Sequence, residues 1–110
     1  MTNFSVHGMP VVVVGAARSG VAAARLLANR GARVTLTESR DEVGPEVTAL
    51  RDAGVELELG GHRDDTLRNA ALVVLSPGVP PTLPVLAAAR AGDVPIISEI
   101  ELASRWVQGR

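Results

Sequence analysis

The sequence contains no cysteine, no lysine and no tyrosine, and each absence excludes a class of chemistry. Without cysteine there is no disulfide, no thiolate nucleophile and no cysteine-ligated metal. Because all 11 basic residues are arginine, a lysine general base, a Schiff base and a Walker-type phosphate lysine are excluded as well. These absences argue against catalysis carried out by this chain alone.

The sequence also contains few aromatic residues and carries little net charge. Phe4 and Trp106 are the only members of the Phe, Trp and Tyr class, which disfavours the stacking platforms that bind single-stranded nucleic acids. The formal net charge of −1 gives no electrostatic argument for a nucleic-acid partner. No apolar run approaches the roughly 18 residues of a membrane span. The 110 residues are therefore predicted to form one domain, 1–110, without a nucleic-acid or membrane partner.

Five apolar segments alternate with helical patterns along the chain. Residues 11–14 and 72–75 are unbroken apolar runs, which are typical of strands buried on both faces of a parallel sheet. Residues 55–59 alternate apolar and acidic side chains and residues 94–97 contain a proline, so both are predicted at sheet edges. With 33–37 as the second strand, the order predicts an α/β fold. It is a Rossmann-like, doubly wound, five-stranded parallel sheet of order 3-2-1-4-5 in a single domain.

A helix is predicted after each strand from the spacing of the apolar residues. The predicted helices cover residues 43–53, 64–69 and 82–91 and the segments that follow Ser19 and Ser98. Ser19, Thr82 and Ser98 are the predicted N-caps, and Glu101 completes a capping box with Ser98.

In an open parallel sheet of this order, ligands bind beyond the carboxyl ends of the first and fourth strands. Three loops are predicted to meet there, and their candidate binding residues are Gly15, Ala17, Arg18, Ser19 and Gly20 in the first, Glu38, Ser39 and Arg40 in the second, and Ser76, Pro77 and Gly78 in the third. The first loop matches G-x-G-x-x-G with Ala17 at the second glycine position, where its methyl group makes the approach to a pyrophosphate less close. Such a strand-to-helix turn directs backbone N–H groups and the helix dipole at an anion.

These residues leave more than one function open. Glu38 follows Gly20 by 18 residues, near the position where dinucleotide-binding domains place an acid on a ribose hydroxyl. An NAD-binding module of an oxidoreductase or of a redox-sensing regulator is therefore an alternative, and a ligand-free interaction domain whose glycines only shape turns is another. His62 follows an edge strand without neighbouring ligand residues, and we interpret it as a surface histidine.

Four segments resemble the amino-terminal domain of the Mur ligases. They are VVGAARSGVAAARLL at 13–27, TESR at 37–40, LSPGVP at 75–80 and PIISEIEL at 95–102. The most specific part is the Ser-Pro-Gly of the third segment followed some twenty residues later by Ser-Glu-Ile-Glu, and the resemblance covers about residues 8–107. Within the family, the sequence is most similar to the branch that joins D-glutamate to UDP-N-acetylmuramoyl-L-alanine.

The resemblance implies a parent enzyme of the cytoplasmic stage of peptidoglycan synthesis. Such a ligase uses ATP and Mg²⁺ to form an acyl phosphate on the L-alanyl carboxylate, which the amine of D-glutamate attacks. The resemblance implies that residues 1–110 are the first of three domains and hold the UDP end of UDP-N-acetylmuramoyl-L-alanine. It also implies that the central ATPase domain and the carboxyl-terminal domain lie outside these residues. We therefore expect no catalytic residue, metal or cofactor in this segment, and no ligase activity from it alone.

The resemblance also distributes the ligand over the three loops. It implies that Arg18 and Ser19 lie at the diphosphate, with Gly78 of the third loop nearby. It implies that Glu38 and the two residues after it hold the uracil. The family more often has an aspartate at position 38 and an apolar residue at position 18, so these two positions depart from its pattern.

Overall fold

The structure is a computed structural model that describes residues 5–108, with the side chains of residues 5–104. Strands and helices alternate along it. In chain order they are β1 (Pro10–Val14), α1 (Arg18–Asn29), β2 (Arg33–Glu38), α2 (Pro45–Thr48) with a 3₁₀ turn (Ala49–Ala53), β3 (Glu56–Leu59), α3 (Asp64–Arg68), β4 (Leu72–Leu75), α4 (Leu86–Ala91), β5 (Ile96–Ser98) and α5 (Glu99–Gln108). None of the helices in this part of the chain has the length and apolar character that crossing a bilayer requires.

The five strands form one parallel sheet of order β3-β2-β1-β4-β5, as the sequence predicts. Val13 lies beside Leu36 of β2 on one side and Val74 of β4 on the other, so β1 is the central strand. The alternating strand β3 and the short strand β5 occupy the two edges. The chain builds the sheet outwards from β1, first with β2 and β3 on one side and then with β4 and β5 on the other. The predicted switch point therefore lies between β1 and β4.

Both faces of the central strand are buried. Successive side chains of a strand point to opposite faces, so Val13 packs in the cluster that contains Leu27 of α1, whereas Val14 packs in the cluster that contains Leu86 of α4. The first cluster also includes residues of the 3₁₀ turn and α5, and the second includes Leu67 of α3. Helices therefore cover the sheet on both sides, which explains why the first strand is apolar at every position.

The start of α1 differs from the predicted capping. The N-cap is Ala17 in an extended conformation, and it makes no side-chain capping bond. The N–H of Val21 donates to the carbonyl of Ala17 at 2.9 Å, so the helix already begins at Arg18. Ser19 therefore lies inside the first turn, and its assignment as the N-cap is wrong.

Prolines move the boundaries of two other elements. The helix predicted from Thr82 begins only at Leu86, because the chain around Pro84 forms isolated i→i+3 turns rather than a continuous helix. The fifth strand begins after Pro95, since Val94 donates its N–H to the carbonyl of Ala89 at the end of α4. The cap predicted for α5 is confirmed, with the N–H of Glu101 donating to Ser98 Oγ at 3.0 Å.

Candidate functional site

The three predicted loops meet at the carboxyl edge of the sheet. The N–H of Gly15 donates to the carbonyl of Thr37 at 2.8 Å, which joins the first loop to the end of β2. Ser76 binds the first loop from the other side, because its hydroxyl donates to the carbonyl of Gly15 at 2.7 Å. The loops are therefore in direct contact and form one surface.

Gly20 makes this contact possible. A Cβ atom at this position would overlap with Ser76 Oγ and with the carbonyl oxygen of Gly15. The close neighbours of Gly20 are therefore the third loop and the first loop itself. Since Ser76 is only 3% exposed and its hydroxyl is engaged, this side chain positions Gly15 within the site.

The first turn of α1 presents free backbone donors. The first N–H groups of an α-helix have no acceptor within the helix, and no side chain of the described residues caps this one. The N–H groups of Arg18, Ser19 and Gly20 are therefore available, together with the positive end of the helix dipole. Ala17 and Arg18 are exposed, so the alanine in the second glycine position lies on the side of the turn that faces solvent. This arrangement suits an anionic group such as a phosphate.

Glu38 joins the first loop to the second. Its Oε1 accepts the N–H of Ala16 at 2.8 Å. Its Oε2 accepts the N–H of Arg40 at 3.0 Å and the Nε–H of the same residue at 3.1 Å, with a longer contact of 3.3 Å from the hydroxyl of Ser39. Glu38 is 7% exposed, whereas the side chain of Arg40 is 63% exposed. The carboxylate thus serves as an internal link, with an arginine on its outer side.

The surroundings of Glu38 keep it charged. Burial raises the pKa of this carboxyl, but hydrogen bonds from the N–H groups of Arg40 and Ala16 lower it, and so does the Arg40 guanidinium. The lowering effects prevail, and the pKa falls from 4.5 to about 2. A negative charge therefore stands at the end of β2 at neutral pH.

A crevice of about 220 Å³ opens beside this carboxylate. Its lining combines residues of all three loops with apolar side chains, namely Val14, Gly15, Glu38, Ser39, His62, Gly78, Val79, Pro80 and Leu83. Gly78 has a φ of 91°, which favours glycine, and no described atom lies within 4 Å of the position that a Cβ would take. Pro77 lies outside this crevice and borders a neighbouring groove towards Ile100.

His62 is half-buried and lines the crevice, so its interpretation as a surface histidine is wrong. Its Nδ1 lies 2.8 Å from Oγ1 of Thr37, a residue with no exposed surface. The chain returns to β2 after β3 because the N–H of Gly61 donates to the carbonyl of Glu38 at 3.2 Å. The double glycine before His62 was the available sequence signal, since two successive glycines allow the sharp change of direction that carries the histidine back to the site.

Comparison with known families identifies this architecture. Residues 9–98 match the family described as Mur ligase MurD-like, N-terminal domain. The chain belongs to this family. The MurD-like domain thus includes all three loops and the crevice between them, because each of these residues lies within the matched range.

Curated proteins similar to this domain are named as ligases of this type. UDP-N-acetylmuramoylalanine–D-glutamate ligase from Pelobacter propionicus is 52% identical to the MurD-like domain over 100 residues, which are 89% of this chain and 22% of that protein. The enzyme of the same name from Frankia casuarinae is 46% identical over 110 residues, 98% of this chain and 23% of that protein. The MurD-like domain therefore spans less than a quarter of the length of these relatives.

Solved structures show the same fold. The MurC UDP-N-acetylmuramate-alanine ligase from Thermotoga maritima superimposes with a TM-score of 0.72 at 24% identity, covering 91% of this chain and 23% of that one. A pseudomurein peptide ligase type C from Methanothermus fervidus gives 0.74 at 23% identity, covering 86% of this chain and 20% of that one. At these identities the likeness concerns the fold of the MurD-like domain.

The resemblance implies ATP and Mg²⁺ for a whole ligase, and the groups that this domain offers can be compared with what those ligands need. The sequence offers no lysine for a nucleotide phosphate. Between residues 5 and 108, no three His, Asp or Glu side chains are grouped closely enough to hold a metal ion. The donor groups at the switch point are backbone N–H groups, an arginine and a histidine, which suit an organic anion.

Proposed function

We propose that this MurD-like domain binds the UDP end of UDP-N-acetylmuramoyl-L-alanine. The observation that carries the proposal is the adjacency of two features at the switch point: the uncapped first turn of α1 and the crevice between the three loops. A nucleoside diphosphate has the matching parts, an anionic group joined through ribose to a neutral flat base. The names of the curated relatives support the choice of UDP over other nucleotides.

In this proposal the diphosphate binds at the start of α1. The N–H groups of Arg18, Ser19 and Gly20 donate to its oxygens, and the helix dipole favours the negative charge. The exposed guanidinium of Arg18 adds a cation at the same turn. The open backbone of Gly78 approaches the ligand from the third loop.

The base and ribose occupy the crevice. The charge of Glu38 disfavours a phosphate there, whereas the apolar side chains of Val14, Val79 and Leu83 suit a neutral ring. Glu38 contributes by fixing the loops, while the Ser39 and Arg40 segment forms the edge that faces the base. The role of Glu38 is therefore to support the neighbouring residues.

The chemical step belongs to the rest of a longer protein. The MurD-like domain spans 22% to 23% of the relatives named above. We propose that the whole protein is the ATP-dependent ligase that adds D-glutamate during the cytoplasmic stage of peptidoglycan synthesis. Binding energy from this domain would hold the substrate while the other domains form the amide bond.

The geometry does not favour the NAD-binding alternative. That interpretation requires Glu38 to accept hydrogen bonds from a ribose. Here Oε1 and Oε2 already accept bonds from Ala16 and Arg40, and the residue is 7% exposed. A ribose diol would have to displace these bonds and separate the first two loops.

Titration of the ¹⁵N-labelled chain with UDP tests the proposal. We expect amide shifts at Ser19, Ser39 and Gly78, one reporter in each loop, with a dissociation constant near the millimolar range. Gly54 and Asn69 line a groove at the opposite edge of the sheet, so they serve as internal controls whose amide shifts should not change. Unchanged spectra at 10-fold higher UDP, or tighter binding of NAD than of UDP, would contradict the proposed function.

A further inference from the structure

We propose that His62 recognises the base of the bound nucleotide by donating a hydrogen bond from its Nε2–H to a ring carbonyl oxygen. This inference rests on the proposed function, because it assumes that a uracil nucleotide enters the crevice. It assigns a specificity role to a residue outside the three loops that the sequence singles out. The argument has three steps: the tautomer, the surroundings and the ligand chemistry.

The tautomer follows from Thr37. Its hydroxyl has no exposed surface, and His62 Nδ1, at 2.8 Å, is its only hydrogen-bond partner among the described residues. If Nδ1–H donated to Thr37 Oγ1, the hydroxyl hydrogen would be buried without an acceptor, which costs about 1–3 kcal/mol. The hydroxyl therefore donates to Nδ1, and the proton of the neutral ring resides on Nε2.

The surroundings make Nε2–H a donor for a ligand. Nδ1 is occupied by Thr37, and no described residue accepts a bond from Nε2. The ring lines the crevice together with Glu38, Ser39 and apolar side chains. Thr37 also accepts the N–H of Gly15 on its carbonyl, so the histidine is held by the same residue that anchors the first loop. The donor is thus fixed in place before any ligand arrives.

The chemistry of the ligand follows from the position of the Nε2–H donor of His62 beside the Glu38 carboxylate. A neutral ring that carries carbonyl oxygens accepts this hydrogen bond, and the ring of uracil carries two of them. A phosphate is a poorer match because the Glu38 carboxylate lines the same crevice. His62 therefore contributes to the affinity for the base, while the turn of α1 contributes to the affinity for the diphosphate.

Two substitutions of His62 distinguish the roles of its two ring nitrogens. His62→Asn retains a polar atom near the Nδ1 position and removes the Nε2 donor. His62→Gln places an amide N–H near the Nε2 position instead. His7→Asn is the matched control, since His7 is exposed and lies against Gly31 at the opposite end of α1. Dissociation constants for UDP and for inorganic pyrophosphate are measured by amide shifts at Ser19, and thermal midpoints report on folding.

We expect His62→Asn to weaken UDP binding about three- to tenfold, the range of one neutral hydrogen bond. Pyrophosphate affinity stays unchanged, His62→Gln recovers part of the UDP affinity, and the His7 control behaves as the unsubstituted chain. Unchanged UDP affinity in His62→Asn overturns the inference. An equal loss for UDP and pyrophosphate also overturns it, because the histidine would then act only by holding the loops. If the unsubstituted chain binds no UDP, the proposed function fails first and the inference fails with it.

Discussion

Glu38 links two loops and keeps its charge while nearly buried. A carboxylate with 7% exposure is costly to bury unless it is hydrogen-bonded, and here both oxygens accept bonds from Ala16 and Arg40. The glutamate side chain at this position reaches the N–H of Ala16 directly. The charge consequently stabilises the folded loops of the unliganded chain.

We predict that Glu38→Gln destabilises the chain by about 2 kcal/mol at pH 7. The pKa of Glu38 is lowered from 4.5 to about 2 by folding, so its ionised form is stabilising. This contribution is complete above pH 4.5 and is lost as the pH falls towards 2. Urea unfolding of both proteins from pH 7 down to pH 2 measures the difference.

The matched control is Glu42→Gln, which changes an exposed carboxylate in the same loop region. We expect this variant to track the unsubstituted chain within about 0.5 kcal/mol at every pH. A Glu38→Gln effect that stays constant down to pH 2 would show that lost shape and contacts, rather than lost charge, cause the destabilisation.

Between elements, the decisive contact is that of α1 with the loop after β4. Alanine has a higher helix propensity than glycine by roughly 0.5–1 kcal/mol, so Gly20→Ala would stabilise an isolated helix. In this fold the added methyl group overlaps with Ser76 and with the carbonyl of Gly15. We predict a net destabilisation of about 1–3 kcal/mol, because the helix must move away from the loop.

A double-mutant cycle with Ser76→Ala tests the origin of this loss. Removing Ser76 Oγ relieves part of the overlap, so the double variant should lose less stability than the sum of the two single variants, by about 0.5–1.5 kcal/mol. Denaturant unfolding of the four proteins gives the coupling energy. Strict additivity would mean that Gly20 serves a purpose unrelated to Ser76.

Signals local to an element were sufficient for the sheet. The unbroken apolar runs of β1 and β4 and the alternation of β3 determine burial on two faces or one, and these patterns yield the order 3-2-1-4-5. Ser98 was predictable as a cap because the capping box lies within four residues. The double glycine before His62 indicated a change of chain direction but not where the chain goes, because the place of His62 depends on a bridge between Gly61 and Glu38, which are far apart in sequence.

At the scale of the whole molecule, two separate apolar clusters pack on the two faces of the sheet, and the loops lie at its carboxyl edge. Leu27 and Leu86 belong to different clusters on opposite faces, and neither has exposed surface. Val14 of the second cluster also lines the crevice, so the proposed site rests directly on the apolar core.

The last prediction concerns how much of the substrate this domain contacts. The proposed site accounts for the uracil, ribose and diphosphate, while the MurD-like domain covers only 22% of its Pelobacter relative. We predict that the chain binds UDP and UDP-N-acetylmuramoyl-L-alanine with dissociation constants within about threefold of each other, because each further threefold would require roughly 0.7 kcal/mol of new contacts. Calorimetric titration of both ligands measures the ratio. Tenfold tighter binding of the complete substrate would show that residues of this chain also contact the sugar or the alanyl group, and the groove between Pro77 and Ile100 would then be the place to look for them.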